Sequence, residues 1–251
     1  MSLPFQTTKW SVIAAAKGDG DIARVALKEL CSDYYPPVVA FLRAEGKTEG
    51  EALDIAHDFF LSILEGMGFP GANPQKGKFR SYLLGALKNF LANRRAAQKR
   101  IKRGGLVRFF SLFRSSEDRI KHDLQDRQCI NHELLFEREW ALNIVGRALA
   151  ELRKEMVLDQ QDRNFEILKP WLTGDCVHFS QQKAAFDLGI SEGAIKVAIH
   201  RLRKRFRALV RSEVGRTVEA PEDVENEMLL LIKALGSADA AMAGKGPVLP
   251  V

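Results

Sequence analysis

Residues 180–211, SQQKAAFDLGISEGAIKVAIHRLRKRFRALVR, constrain the fold more than any other part of the chain. They match the spacing of a helix-turn-helix, in which Ala185, Gly189 and Ile195 take the fifth, ninth and fifteenth positions. A small residue lets two helices approach closely, and a glycine adopts the positive φ of the turn at little cost. Ser191 is a suitable N-cap for the second helix. The segment therefore predicts two packed helices joined by a tight turn.

The second of these helices carries two contrasting faces. Its apolar stripe has helical spacing, which predicts burial, and it comprises Ile195, Ile199, Leu202, Phe206 and Leu209. The basic face comprises Lys196, His200, Lys204, Arg207 and Arg211, widened by Arg201, Arg203 and Arg205. Such a helix can bury one side and present the other to phosphates and base edges of DNA. A solvated helix hairpin accounts for the charges but not for the turn pattern, so DNA binding is the favoured interpretation.

The positive charge of the chain is concentrated in two blocks. The formal net charge is +6, yet residues 66–116 contain twelve Lys or Arg and no acidic residue. Residues 180–211 contain eight Lys or Arg against two acids. Two separate basic blocks on an otherwise acidic chain favour two contacts with a polyanion. The competing interpretation is a basic helix that lies on a membrane surface, but it explains one basic block poorly and two separate blocks less well.

Cysteine content and hydropathy limit the class of protein further. Cys31, Cys129 and Cys176 are odd in number and far apart, which predicts no disulfide framework and favours a reducing cytoplasm. The apolar run at residues 12–16 is too short for the core of a signal peptide. No stretch approaches the ~20 apolar residues that span a bilayer, so we expect no membrane insertion.

Helical periodicity runs along most of the chain and no convincing strand pattern occurs, so the sequence predicts an all-α fold. A first helix around Ala23 to Leu30 is expected to stop near Pro36-Pro37. The next helix is expected to bury a stripe made of Leu53, Ala56, Phe60, Ile63, Leu64 and Met67. Further helices are predicted at residues 79–103, 133–156, 164–172 and 221–235.

Glycines, prolines and polar residues mark the loops and helix ends between these helices. A Gly/Pro-rich loop is predicted at residues 68–77, and Gly104-Gly105 is expected to end the long basic helix. The helix at 221–235 is expected to pack on the helix-turn-helix domain through Val224, Met228, Leu231 and Leu235, with its acids outside that stripe. The Ala/Gly/Pro-rich residues 238–251 are predicted to be disordered.

Two basic helical blocks, with the helix-turn-helix last, give the chain a resemblance to a known family. The chain resembles RNA polymerase sigma factors of the extracytoplasmic-function type over roughly residues 8–235. The first part of the resemblance rests on DIAHDFFLSIL at 54–64 and KGKFRSYLLGALKNFLANRRAAQKR at 76–100. The second part rests on SEGAIKVAIHRLRKRFRALVRSEV at 191–214. Both motifs, in this order and at this separation, are a strong signal.

The resemblance implies two helical domains. Residues 1–105 would form a helical bundle similar to sigma region 2, which binds core polymerase and the −10 element. Residues 106–131 would be a linker, and residues 132–215 a domain similar to sigma region 4, whose helix-turn-helix binds the −35 element. Residues 216–251 would be a C-terminal extension made of a short helix and a disordered tail.

The same resemblance implies three functional surfaces. The surface that docks on core polymerase would comprise Asp54, His57, Asp58 and Phe59, although the family usually has Gln and Glu where His57 and Asp58 stand. The surface for the −10 element and strand melting would comprise Asn73, Lys78, Phe79, Arg80, Tyr82 and Asn89, of which Phe79 and Tyr82 are equally candidates for the core. The −35 surface would comprise Glu192, Lys196, Val197, His200, Arg201, Arg203 and Lys204.

The expected partners are core RNA polymerase, through its β′ clamp helices and β flap, promoter DNA and an anti-sigma factor. No enzyme activity, catalytic residue, metal or cofactor is expected, because the chain contains no HExxH pair, no P-loop and no GxGxxG. A helix-turn-helix repressor or activator that does not bind polymerase is the main alternative. A metal-dependent nuclease using Asp54, His57 and Asp58 is a lesser one, since no clear third acidic ligand accompanies them.

Overall fold

The computed structural model describes residues 21–65, 69, 72–73, 78–101, 129–173, 180–218 and 220–243. The regular structure of these residues is helical and contains no strand, which confirms the all-α prediction for this part of the chain. The helices are α1 (Asp21–Ala44), α2 (Glu49–Glu65), α3 (Phe79–Ile101), α4 (Cys129–Leu158), α5 (Asp162–Leu168), α6 (Pro170–Thr173), α7 (Gln181–Leu188), α8 (Glu192–Gly215) and α9 (Val224–Ala243). A 3₁₀ turn at Pro221–Asp223 precedes α9.

The chain divides into two compact units. The first unit contains Met1–Ala141 together with Arg216–Val251, and the second contains Leu142–Gly215. The division falls within α4, so the start of that helix belongs to the first unit and the remainder to the second. Among the described helices, none combines the length and apolar character that crossing a membrane requires.

The core of the first unit is rich in aromatic and aliphatic side chains. Its fully buried large residues are Leu30, Phe41, Leu42, Phe59, Phe69, Leu83, Leu87 and Phe136. Phe69 lies against Phe79 edge to face, with ring centroids 4.9 Å apart, and Phe79 lies 5.2 Å from Tyr34. Phe79 thus joins the start of α3 directly to α1 and also contacts a residue of the preceding loop.

Helix α1 continues through Pro36 and Pro37, so the predicted stop at these prolines was wrong. Each proline removes its own backbone donor, and its ring crowds the carbonyl of the preceding turn, so the helix continues here at a cost. Tyr34 and Val38, on either side of the pair, are buried, and burial continues to Leu42. The apolar face that spans the prolines therefore stabilises a helix that local propensity alone would interrupt.

The second unit comprises the later part of α4 and helices α5 to α8. The predicted helix at 164–172 is two short helices instead, because α5 ends at Leu168, Lys169 is its C-cap and Pro170 begins α6. Phe165, Leu168 and Trp171 are buried. The predicted glycine cap at residues 104–105 lies outside the described residues, as does the predicted linker at 106–131 up to residue 128. Its last residues, 129–131, belong to α4, so the linker was predicted three residues too long.

The C-terminal helix differs from its prediction in both length and placement. Helix α9 runs from Val224 to Ala243, so residues 238–243 are helical rather than part of a tail. It belongs to the first unit and not, as predicted, to the helix-turn-helix unit. Among its residues 224–236, the buried ones are Val224, Glu227, Leu231 and Ala234, whereas Met228 and Leu235 are only half-buried. The buried stripe of α9 therefore includes an acid, Glu227, where Met228 was predicted.

Candidate nucleic-acid interface

The turn between α7 and α8 has the geometry that the sequence predicted. Gly189 ends α7 in the left-handed region, at φ 67° and ψ 29°. Its amide donates to the Phe186 carbonyl at 3.2 Å, and the Ile190 amide donates to the Ala185 carbonyl at 3.0 Å. These two bonds satisfy carbonyls that the end of a helix leaves without partners. A side chain at Gly189 would strain this backbone conformation.

Hydroxyl groups cap both helices of the motif. Ser180 Oγ accepts from the Lys183 amide at 3.5 Å, and Ser191 Oγ accepts from the Ala194 amide at 3.2 Å. Ile195 is fully buried, and Ala184 and Ala185 are buried on α7. Caps, turn and small-residue packing therefore fix the direction of α8 relative to α7.

Helix α8 presents a continuous polar face to solvent. All the predicted −35 residues are exposed in the structure: Glu192, Lys196, Val197, His200, Arg201, Arg203 and Lys204. The opposite face is buried at Ile195, Ile199, Leu202 and Leu209, as predicted, and Phe206 is half-buried. An exposed row of donors along one helix face suits contacts with phosphates and base edges.

Two arginines of this helix have partners within the second unit. Arg203 donates from Nε to the Trp171 carbonyl at 3.0 Å. Arg205 donates from Nε to Glu155 at 2.7 Å and makes a second bond to the same carboxylate. The hydrogen bonds and charge of Arg205 hold the pKa of Glu155 below its ordinary value. These two side chains thus serve the packing of the unit, while Lys196, His200 and Arg201 are better placed for DNA.

Helix α2 presents Asp54, His57 and Asp58 to solvent. Phe59, the fourth residue of the predicted polymerase-docking surface, is 1% exposed and lies in an aromatic cluster with Phe60 and Phe90. Phe59 therefore acts in the core of this structure, because its ring reaches no surface. Asp58 pairs with Arg94 of α3.

The buried face of α2 is rotated from the predicted stripe. The structure buries Ala52, Ile55, Ala56, Phe59, Phe60 and Ile63. Leu53 and Leu64, which were expected inside, are 41% and 44% exposed, and Leu61 is exposed as well. The two adjacent aromatic residues place the larger apolar area on the Phe59 side, so the leucines flank the acidic face.

The predicted −10 residues divide between surface and core. Asn73, Lys78, Tyr82 and Asn89 are half-buried, and the loop around Asn73 is described only at residues 69, 72 and 73. Phe79 is buried in the aromatic core described above. Arg80 is 5% exposed, so neither Phe79 nor Arg80 is open to DNA in this structure.

Arg80 is the centre of a buried ion-pair network that the sequence pattern did not predict. Its Nε donates to Glu137 at 2.6 Å, its Nη1 donates to Glu227, and its guanidinium lies 4.1 Å from the centre of the Trp140 ring. Lys78 Nζ donates to the second oxygen of Glu227 at 2.5 Å. The one sequence signal for Glu227 is its spacing from Val224 and Leu231, which places an acid within an apolar helix face.

The described residues contain no cluster of His, Cys, Asp and Glu that would hold a metal ion. Burial raises the pKa of the Cys31 thiol to about 11, so this cysteine is a poor nucleophile near neutral pH. Comparison of the chain with protein-family models, with curated proteins and with solved structures gives no match.

Proposed function

We propose that the chain is a dissociable promoter-recognition subunit of bacterial RNA polymerase, a sigma factor of the extracytoplasmic-function type that acts in the cytoplasm. The main support for the proposal is the exposed polar face of α8, the second helix of a well-packed helix-turn-helix. In this proposal α8 reads the −35 element, and the first unit binds core polymerase and the −10 element. Bond-making chemistry belongs to the polymerase.

The second unit supports the DNA-reading part of the proposal. The side chains near the start of α8 that are both exposed and able to contact bases are Glu192, Lys196, Val197, His200 and Arg201. Lys and Arg side chains donate to guanine, a carboxylate accepts from cytosine, and an apolar side chain contacts the thymine methyl group. The face thus has the variety of groups that discrimination between base pairs requires.

The first unit supports the polymerase-binding part. It has its own core, and its helix α2 carries an exposed polar face at Asp54, His57 and Asp58 with exposed leucines beside it. Exposed apolar residues rimmed by charge are typical of protein-binding surfaces. A simple repressor or activator needs the helix-turn-helix but has no use for this second surface.

The test is co-purification of the tagged full-length chain with core RNA polymerase, followed by run-off transcription from promoters selected out of random DNA by the reconstituted enzyme. The proposal predicts a stoichiometric complex and transcription that depends on the added chain. Duplex binding without core binding would favour the repressor or activator. Cleavage of DNA by the same preparation in Mg²⁺, abolished by Asp54→Asn, would favour the nuclease.

A further inference from the structure

The buried carboxylate of Glu227 is held between two cations that the sequence assigns to the DNA-melting surface. Glu227 is 1% exposed, and each of its oxygens accepts from a different cation. Lys78 lies just before α3, and Arg80 lies in its first turn. One acid of the C-terminal helix thus pairs with two basic side chains that follow the predicted loop at residues 68–77.

A carboxylate in this position carries a desolvation cost that an apolar residue would avoid. Val224, Leu231 and Ala234 on the same face of α9 are apolar and buried, as helix docking alone requires. The acid is instead matched to Lys78 and Arg80. A carboxylate bridging a lysine and an arginine has the charge and the acceptor geometry with which a nucleic-acid phosphate binds the same two side chains.

Arg80 is positioned by contacts that do not depend on α9. Its Nε is paired with Glu137, and its guanidinium lies over the Trp140 ring, both in α4. Loss of α9 would remove only the partner of Nη1 and leave the guanidinium oriented. Lys78 is half-exposed already. The two cations therefore form a preorganised anion site that Glu227 fills.

Helix α9 carries a charge in its packed face and apolar residues on its outer face. Of its residues 224–236, Val224, Glu227, Leu231 and Ala234 are buried, while the outward residues Leu229 and Ile232 are 66% and 59% exposed. We propose that Glu227 occupies a latent phosphate site, so that α9 and the backbone of single-stranded DNA compete for Lys78 and Arg80. This proposal rests on the function proposed above, since it makes α9 a regulator of strand capture by the first unit.

The first test removes the carboxylate charge but keeps its shape. Full-length Glu227→Gln is compared with wild type for binding to a fluorescent thymidine oligomer of about twelve nucleotides, within the usual site size for single strands. We expect roughly tenfold tighter binding at low salt and a steeper salt dependence, because two cations become available to phosphates. Glu222→Gln, which removes an exposed acid of the same segment, controls for net charge and is expected to bind as wild type.

A second variant separates the latent site from a general loosening of the fold. The double variant Lys78→Gln with Glu227→Gln should lose most of the gain in affinity for the thymidine oligomer, because one of the two phosphate-binding cations is absent. A gain that persists in the double variant, or no gain in Glu227→Gln, overturns the proposal. Circular dichroism establishes that each variant is folded.

Wild-type protein supplies a test that does not depend on the folding of any variant. Hydrogen exchange of the α9 amides is measured with and without saturating thymidine oligomer. Competition predicts faster exchange across α9 in the bound state, whereas unchanged or slower exchange overturns it. Run-off transcription by wild type tests the sigma-factor function separately, so an active sigma factor whose α9 does not respond to DNA refutes only this inference.

Discussion

Lys196 is the fifth residue of α8 and lies on its exposed face, near the N-terminal end by which a DNA-reading helix contacts base edges. We expect Lys196→Ala to weaken promoter binding by ~1–3 kcal/mol and to relax the base preference at one position of the −35 element. A contact to phosphate alone would weaken all sequences and reduce the salt slope by roughly 1. Binding to a library of single-position promoter variants distinguishes these results.

Lys154→Ala is the matched control, because Lys154 is an exposed lysine of the same unit that lies on α4 and pairs with Glu151. It should leave both affinity and base preference unchanged. Identical behaviour of the two variants would place Lys196 away from DNA and require a different register of α8 in the groove.

Asp58 pairs with Arg94, and under the proposed function it also contacts core polymerase. Asp58→Lys should reduce the affinity for core polymerase, mainly through the association rate, and should make binding less sensitive to salt. Arg94→Ala removes the same ion pair but keeps the carboxylate, so it should bind core as well as wild type does. Titration with labelled core polymerase measures both, and equal loss in the two variants would assign Asp58 to the fold alone.

At the scale of single elements, α2 begins with a reciprocal cap. The Thr48 amide and hydroxyl both donate to Glu51 Oε2 at 3.0 Å, and the Glu51 amide donates to Thr48 Oγ1 at 3.4 Å. The bond from the Thr48 amide lowers the pKa of Glu51. This arrangement satisfies donors at a helix start that have no partner within the helix.

Loss of this cap should destabilise the first unit measurably. We expect Thr48→Ala to lower the free energy of unfolding by ~1 kcal/mol, since an alanine offers no acceptor at this position. Urea denaturation followed by circular dichroism measures the change. Thr48→Ser keeps the hydroxyl and should recover most of the stability, whereas a serine variant as unstable as alanine would argue against the cap.

The pair of Glu155 and Arg205, which joins α4 to α8, predicts a dependence of stability on pH. The folded pKa of Glu155 is depressed, chiefly by the hydrogen bonds from Arg205. Its contribution is therefore present above the unfolded pKa, near the ordinary 4.5, and is lost as pH falls through the folded pKa. Both side chains are partly exposed, so screening limits the contribution to ~0.2–1 kcal/mol.

Glu155→Gln tests this dependence. The variant should melt slightly below wild type at pH 7, and the two melting temperatures should converge as the pH is lowered through the range below 4.5. Glu166→Gln, on the weaker pair with Arg153 at 3.2 Å, serves as the control and should show a smaller difference. A constant gap between wild type and Glu155→Gln at every pH would show that the ionisation of Glu155 does not contribute.

Local determinants explain which elements the sequence predicts well. The helix-turn-helix depends on Gly189, on hydroxyl caps and on a stripe within one short segment, so its turn and its exposed face follow from the sequence. The predicted helix end at Pro36-Pro37 was wrong because packing of α1 against the core outweighs the local preference of proline. The face of α2 was misjudged because Leu53 and Phe59 are both plausible core residues, and only tertiary contacts decide between them.

At the scale of the whole molecule, the sequence could not place α9. The bond between Arg80 and Glu227 joins residues 147 positions apart, and nothing in either segment identifies the other. An alanine at Arg80 or at Lys78 alters the ion-pair network of Glu227 as well as any DNA contact, so strand melting is tested more cleanly with Asn73.

Arg80→Ala is expected to destabilise the protein by ~3–5 kcal/mol, because it leaves the carboxylate of Glu227 buried without its main partner. The variant also loses the stacking on Trp140. Chemical denaturation measures the change, with Arg201→Ala, an exposed arginine, as a control that should stay near wild type. The double variant Arg80→Ala with Glu227→Ala should lose less than the sum of the two single variants, since neither buried charge then remains alone. Additive losses would mean that the two side chains do not interact in solution.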